Sequence, residues 1–193
     1  MAYDYKSIEH KLRIAARDGD KESVVALLEH GVQINAATPS GMTAYRLAWK
    51  YQHLEIARLL LRSGASVFLD DARTLEELHF LKECGVKQPT LGDIDARVVL
   101  RYENGQISRN DMEIALGRRR DPTLTMQTTI EDVETEGVFR HGNSRWEILK
   151  ECMQTGDELW KFDKGKWDQF AGRMGYVLFR QGRLIIRIVT FLN

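Results

Sequence analysis

The chain has 193 residues, of which 43% are hydrophobic and 29% are charged, and this is the composition of a folded globular protein. Its 28 basic and 28 acidic residues cancel to a formal net charge of zero. Because nucleic-acid and anionic-membrane binders usually need a basic excess, neither class of partner is expected. The N-terminus has no apolar signal segment, and the most apolar run, Leu184 to Leu192, is interrupted by Arg187 and too short to span a bilayer. We therefore expect a cytoplasmic protein.

The N-terminal third of the chain repeats its own pattern. When residues 15–65 are laid over themselves with a shift of about 33 residues, small residues, aliphatic residues and glycines coincide. The coinciding pairs are Ala15 and Ala48, Val24 and Ala57, Leu27 and Leu60, Leu28 and Leu61, and Gly31 and Gly64. Each copy is predicted to be a pair of helices, with starts after Ser7, at Lys21, at Thr43 and at Leu54.

The segment GMTAYRLAWKYQHLEIARLLLRSGAS resembles the ankyrin repeat, whose pattern is G-x-T-P-L-H-x-A-A followed by V-x-L-L-L-x-x-G-A. The resemblance covers Leu12–Val67, and a degenerate form of the pattern continues to about Gly85. It implies stacked pairs of helices that bind another protein. Three positions depart from the family pattern: Ala44, Trp49 and Gln52. Because Trp49 is too bulky for the close helix approach that alanine permits, we expect the next layer to differ.

A stack of repeats needs about three copies to bury a continuous core, so two faithful copies require a cap. The leucines at helical spacing between Leu75 and Leu81 are interpreted as part of a degenerate repeat. Helices predicted over Asp93–Glu103 and Ser108–Leu116 are interpreted as the cap.

After the charged, proline-closed segment Arg118–Pro122, threonine, valine and aromatic residues become frequent. The alternation of Glu158–Phe162 predicts a strand. Residues Gly175–Leu192 are predicted to form a hairpin that turns at Gln181-Gly182, where glycine supplies a positive φ.

Two segments are expected to add helices to this C-terminal part: Trp146–Met153, whose spacing favours helix over strand, and Trp167–Ala171. The sequence from Gly156 onward also resembles the tail of small bacterial proteins of unassigned function, which implies a bacterial source and an α+β domain but no chemistry. We therefore expect an α+β fold. A helical ankyrin-like repeat stack with capping helices spans residues 1–117, and a smaller α+β domain that ends in a β-hairpin spans residues 123–193.

Local motifs that carry catalytic chemistry, such as GxxxxGK[ST], HExxH, GxSxG and paired CxxC, are absent from the sequence. The best catalytic candidate is Cys152 with His141 as base and Asp157 as orienting carboxylate. The simpler interpretation, which we favour, places Cys152 in a helix core and His141 in a solvated turn. No enzyme activity, cofactor or metal is therefore expected.

Other candidate ligand sites have equally simple interpretations. His30, His53 and His79 lie on separate repeats and do not converge as metal ligands must, and His53 stands where ankyrin repeats carry a structural histidine. The basic run at Arg118–Arg120 is interpreted as a solvated linker. Three tryptophans could line a pocket but are expected to lie in the core: Trp146, Trp160 and Trp167.

The resemblance places partner binding on the loop tips and on the exposed face of each first helix. The matching residues are Arg17, Asp18, Pro39, Ser40, Met42, Leu47, Lys50 and Tyr51. Met42, Leu47 and Tyr51 are apolar or aromatic beside charges, as in an interface core with a polar rim.

The expected partner is another protein, most concretely a toxin or effector that this chain inhibits as an immunity protein. The alternatives are an adaptor or chaperone, and an enzyme with a site in the C-terminal domain. The oligomeric state is left open.

Overall fold

The computed structural model describes residues 7–139, 142–165 and 173–192. The chain forms two compact units, Met1–Val67 and Phe68–Asn193. The helices are α1 (Ile8–Asp18), α2 (Lys21–Glu29), α3 (Ala44–Lys50), α4 (Leu54–Arg62), α5 (Leu75–Glu83), α6 (Leu91–Glu103), α7 (Arg109–Ala115), α8 (Ile130–Glu136) and α9 (Ser144–Cys152). The strands are β1 (Leu124–Thr128), β2 (Glu158–Lys164), β3 (Arg173–Arg180) and β4 (Arg183–Leu192). Within these described ranges, no helix is long and apolar enough to cross a bilayer.

The first unit consists of two helix pairs, α1 with α2 and α3 with α4. Side chains cap three of these helices at the positions that the sequence indicates. Ser7 Oγ accepts the His10 N–H at 3.1 Å, and Thr43 Oγ1 accepts the Arg46 N–H at 3.3 Å. Asp20 accepts the Ser23 N–H at 3.0 Å and so starts α2. The predicted starts of the helices in both repeats are thus confirmed.

The two repeats stack through α1 and α3, which pack against each other. Ala48 of α3 and Leu60 of α4 are 0% exposed. His53, just before α4, donates from Nε2 to the Arg17 carbonyl oxygen at 2.9 Å. This hydrogen bond joins the end of α1 to the second repeat, which is the structural role expected for His53.

The second unit is built on a four-stranded antiparallel sheet in the order β1-β2-β3-β4. The predicted hairpin is present: Arg180 pairs with Arg183 across a turn in which Gln181 and Gly182 have φ values of 46° and 79°. One apolar cluster of this sheet contains Phe162, Val177 and Phe179, with Leu124, Trp160 and Leu184 packed against it. The α+β class, with N-terminal helical repeats and a C-terminal sheet, is confirmed.

Helices α6 and α7 lie in the second unit, where both contact β4. Arg183 at the start of β4 pairs with Asp95 of α6 at 3.3 Å. Gly117, just after α7, approaches Gly182 so closely that a Cβ at this position would lie 2.6 Å from the Gly182 carbonyl oxygen. These helices were expected to cap the repeats, so the observed division at Val67 differs from the sequence-based one near residue 120.

Three features of the second unit differ from the sequence-based expectation. Strand β1 and helix α8 were not predicted. Helix α6 begins two residues earlier than predicted, because Thr90 and Asp93 form a capping box in which each side chain accepts the other residue's backbone N–H. The helix predicted over Trp167–Ala171 lies outside the described residues.

Candidate protein-binding surface

Four of the predicted binding residues lie at the C-terminal ends of α1 and α3. Arg17 Nε and Nη2 donate to the two carboxylate oxygens of Asp18 at 2.6 and 3.1 Å. Lys50 Nζ lies 5.7 Å from the centroid of the Tyr51 ring, and Tyr51 is 48% exposed. We call these four residues the α1–α3 surface. It combines an exposed aromatic ring with charges of both signs.

Arg17 and Asp18 of the α1–α3 surface are both charged near neutral pH. The hydrogen bond from Arg17 lowers the pKa of the Asp18 carboxyl, and the same hydrogen bond raises the pKa of Arg17. His53, two residues after Tyr51, donates to the Arg17 carbonyl oxygen at 2.9 Å, which brings the end of α3 close to the end of α1. Because exposed ion pairs contribute little to folding stability, the pair is free to exchange its contacts for those of a partner.

The loop residues of the prediction lie before α3. Thr38 organises the turn: its carbonyl oxygen accepts the Gly41 N–H at 2.8 Å, and its Oγ1 accepts the Met42 N–H at 3.0 Å. Pro39 and Ser40 at the tip are exposed, whereas Met42 is half-buried. The exposed tip therefore consists of Pro39 and Ser40, and the larger apolar side chain of Met42 is partly withdrawn from solvent.

The predicted residues do not form a single cluster. Leu47, in the middle of α3, is half-buried, as expected if it packs partly inward. Helix α3 has seven residues, so about 10 Å of helix separates the Met42 end from the Tyr51 end. The geometry thus groups Arg17, Asp18, Lys50 and Tyr51 and leaves the loop tip as a neighbouring patch.

Two of the three catalytic candidates, Cys152 and Asp157, have buried side chains and are held by contacts within the second unit. Cys152 is 0% exposed, and burial raises the pKa of its thiol to about 11. Asp157 accepts hydrogen bonds from Arg180 Nε at 2.9 Å and Nη2 at 2.7 Å, and Arg180 Nη2 also donates to the Cys152 carbonyl oxygen at 2.9 Å. His141 lies outside the described residues. Arg180 therefore engages the carboxylate that was considered as a partner for a catalytic base.

Three of the other candidate ligands, His30, Trp146 and Trp160, also have local partners or lie in the core, whereas His79 is exposed. His30 Nδ1 is 2.6 Å from the Ala26 carbonyl oxygen. Trp146 is 1% exposed and stacks on Phe139 with ring centroids 4.8 Å apart, while Trp160 packs against the sheet cluster. Trp167 lies outside the described residues. No group of three or more potential metal ligands occurs in the part of the chain that the structure describes.

A buried ion pair that sequence reasoning missed joins Asp70 to α6. Arg97 Nη2 donates to Asp70 Oδ2 at 2.8 Å, and the Asp70 side chain is 4% exposed. Burial raises the pKa of Asp70 although Arg97 opposes the effect. No sequence pattern indicates this pair, because the two residues are neighbours only in the folded chain.

Comparison with known proteins identifies the first unit. Residues 10–71 match the family model for ankyrin repeats. An ankyrin repeat-containing protein of Schizosaccharomyces pombe is 24% identical over 100 residues, which cover 52% of this chain and 48% of that protein. The chain thus spans about half the length of the curated relative that it matches. Residues 10–71 are therefore ankyrin repeats, as the sequence predicted, and ankyrin repeats are protein–protein interaction modules.

Proposed function

We propose that this chain is a non-catalytic protein-binding protein whose partner contacts the α1–α3 surface and the neighbouring loop tip at Pro39 and Ser40. The observation that carries the proposal is the exposed Tyr51 ring, which lies beside Lys50 and the Arg17–Asp18 pair. These residues are part of the ankyrin repeats, which are protein–protein interaction modules. Tyrosine and arginine are enriched among the residues that dominate binding energies. An aromatic ring surrounded by charged groups offers apolar area for contact with a partner, and the charges orient that partner on the surface.

In its finer form, the proposal is that the chain acts in the cytoplasm of a bacterium as an inhibitor, such as an immunity protein that binds a toxin or effector. The short repeat array and the neutral composition without catalytic motifs motivate this form, and the resemblance of the tail to small bacterial proteins motivates the source. An adaptor or chaperone would use the same surface but would leave its partner active. An activity assay of the bound partner with and without this chain separates the two roles.

The binding surface is tested with two matched variants, Tyr51→Ala and Tyr102→Ala. Both tyrosines are exposed, at 48% and 39%, but Tyr102 lies on α6 in the second unit. A protein recovered with the tagged full-length chain from its own cell extract is purified, and its affinity is measured by titration calorimetry. We expect Tyr51→Ala to weaken binding by about ten-fold or more and Tyr102→Ala to leave it unchanged.

Two results would count against the proposal in different ways. Recovery of no protein partner by the wild-type chain would contradict protein binding itself. A partner that binds the Tyr51→Ala variant as tightly as the wild type would leave protein binding intact but would contradict the assignment of the surface.

A further inference from the structure

A groove with a volume of about 620 Å³ lies between α1 and α2 of the first repeat. Ile14, Ala15, Ala26 and Leu27 form its apolar part, and Lys11 is among the polar residues that line it. Ala26 is exposed, and Ile14 and Leu27 are half-buried. We call this feature the α1–α2 groove. It runs along one helix pair, and its apolar residues Ile14, Ala26 and Leu27 are accessible to solvent.

Comparison of the first repeat with the second indicates what the α1–α2 groove can bind. One period of about 33 residues later, the residues equivalent to Lys11 and Leu27 are Ala44 and Leu60. Both of these are 0% exposed, in a repeat whose α3 packs against α1. Leu47 and Leu59, the residues equivalent to Ile14 and Ala26, are half-buried. The α1–α2 groove is therefore the stacking face of the first repeat, equivalent to the face of the second repeat that α1 occupies.

The polar residues at the edge of the α1–α2 groove differ from those at the edge of the interface between the two repeats. Between the repeats, Lys21 Nζ pairs with Glu55 Oε2 at 2.9 Å, in addition to the bond from His53 to the Arg17 carbonyl oxygen. The residues one repeat period before His53 and Glu55 are Asp20 and Glu22, and both are exposed. The hydrogen bonds from Ser23 lower the pKa of Asp20 and keep it ionised. Asp18 and Asp20 line this edge of the groove, whereas Glu22 is exposed but does not line it, and His10 and Lys11 line the groove as well. An occupant must therefore supply hydrogen-bond donors or a cation at the Asp18–Asp20 edge.

We propose that the α1–α2 groove docks an α-helix of a partner protein, laid along α1 as α1 lies along α3. The docked helix presents small or aliphatic side chains to Ile14, Ala26 and Leu27, and a lysine or arginine at its end meets Asp20 at the acidic edge of the groove. The support is continuity with the repeat interface already present in the fold, together with the acidic edge of the groove. The groove shares Asp18 with the α1–α3 surface, but it contains neither Tyr51 nor Tyr102, so the two proposals are tested by different variants.

The test uses a defined probe rather than an unidentified partner. The probe is a synthetic peptide of residues 7–31 of this chain, which contains the segment that covers the equivalent face of the second repeat and carries Lys21. Binding to the isotopically labelled full-length protein is followed by NMR. We expect the peptide to shift the amide resonances of Ala15, Ala26 and Leu27 in a concentration-dependent way, and added salt to weaken binding because the acidic edge contributes.

Two adjacent substitutions in α2 provide the matched comparison, Ala26→Arg and Val25→Arg. Both positions are exposed, and each variant adds the same long cationic side chain to the same helix, but Val25 does not line the groove. We expect Ala26→Arg to weaken peptide binding by about ten-fold or more and Val25→Arg to have no effect. Unchanged circular dichroism melting curves verify that both variants are folded.

Several outcomes would overturn the proposal. One is the absence of binding to the wild-type protein, and another is an equal loss of affinity in the two variants. Shifts confined to Ala48 and Leu60 would mean that the peptide exchanges with the native helix pair instead of filling the groove. A concentration-dependent dimer that forms without peptide and is abolished by Ala26→Arg would assign the groove to a second copy of the chain.

Discussion

The Arg180 side chain joins α9 to the start of β2, because it contacts both the Cys152 carbonyl oxygen and the Asp157 carboxylate. Its side chain is 9% exposed and that of Asp157 is 2% exposed. Ion pairs at this depth are costly to break, since removal of one partner leaves a buried charge without compensation. The pair therefore fixes the geometry around Cys152, and a catalytic role for this region would require the network to rearrange.

Thiol labelling tests this structural role at the level of one residue. Because burial raises the pKa of Cys152 to about 11, from a usual value of 9.0, the folded protein contains almost no Cys152 thiolate near neutral pH. In a Cys84→Ser variant, we expect a thiol-reactive dye to modify Cys152 only at the rate at which the protein unfolds. Cys84, which is half-buried, serves as the control in a Cys152→Ser variant and should react in the folded state. Rapid stoichiometric labelling of Cys152 in the folded protein at neutral pH would contradict burial and would favour the alternative of a catalytic cysteine.

At the level of elements, the contact between the repeats explains why glycine follows α1. Gly19 has a φ of 80°, and a Cβ at this position would lie 2.7 Å from Cε1 of His53. Gly31, after α2, has a similar φ of 74°, but a Cβ there would meet nothing within 4 Å. Gly31 is therefore a matched control that has the backbone conformation without the contact.

We expect Gly31→Ala to destabilise the protein by about 1 kcal/mol, the cost of placing a side chain in the left-handed region. Gly19→Ala should cost about 2–3 kcal/mol, because the new methyl group also displaces His53 from its hydrogen bond to the Arg17 carbonyl oxygen. Equilibrium denaturation of the full-length variants measures the difference. Equal losses in the two variants would show that the contact with His53 adds nothing to the stability of the stack.

Local signals account for most of the helices that the sequence predicted. Capping residues such as Ser7 and Thr43, and the glycines after the helices, mark boundaries within a few residues. Strand β1 was missed because its burial does not alternate, and its place is set by pairing with β2, a contact distant in sequence. Helix α8 was missed because it is short and buries only Val133, although Thr129 and Asp132 form a capping box that could have indicated it.

The candidate surfaces were predictable to different degrees. The resemblance to ankyrin repeats predicted that Arg17, Asp18, Lys50 and Tyr51 lie on the binding face, which stays a prediction, and side-chain positions were needed to show that they form pairs. The α1–α2 groove was missed, although the same alignment carried a signal for it. Lys11, Asp20 and Ser23 stand opposite Ala44, His53 and Ile56, so one copy is polar where the other is mostly buried.

At the level of the whole molecule, the partition into two units differs from the one that composition suggested. Composition changes near Arg118–Pro122, yet contacts within the second unit join residues on both sides of this segment. Arg145 Nη1 donates to the Ala72 carbonyl oxygen at 2.7 Å, and Lys82 pairs with Glu151 at 2.5 Å. A change in composition marks where strands begin along the chain, but it carries no information on which earlier helices will cover the sheet.

Two fragments decide which division corresponds to an independently folding domain, residues 68–193 and residues 123–193. The longer fragment keeps α6 and α7 on β4, together with the pair between Arg183 and Asp95. We expect it to unfold cooperatively in denaturant, with the circular dichroism of a mixed helix and sheet protein. The shorter fragment exposes the apolar side chains of β4 that these helices cover, so we expect it to aggregate or to lack a cooperative transition. A cooperative transition in residues 123–193, with stability equal to that of the longer fragment, would instead support the division near residue 120.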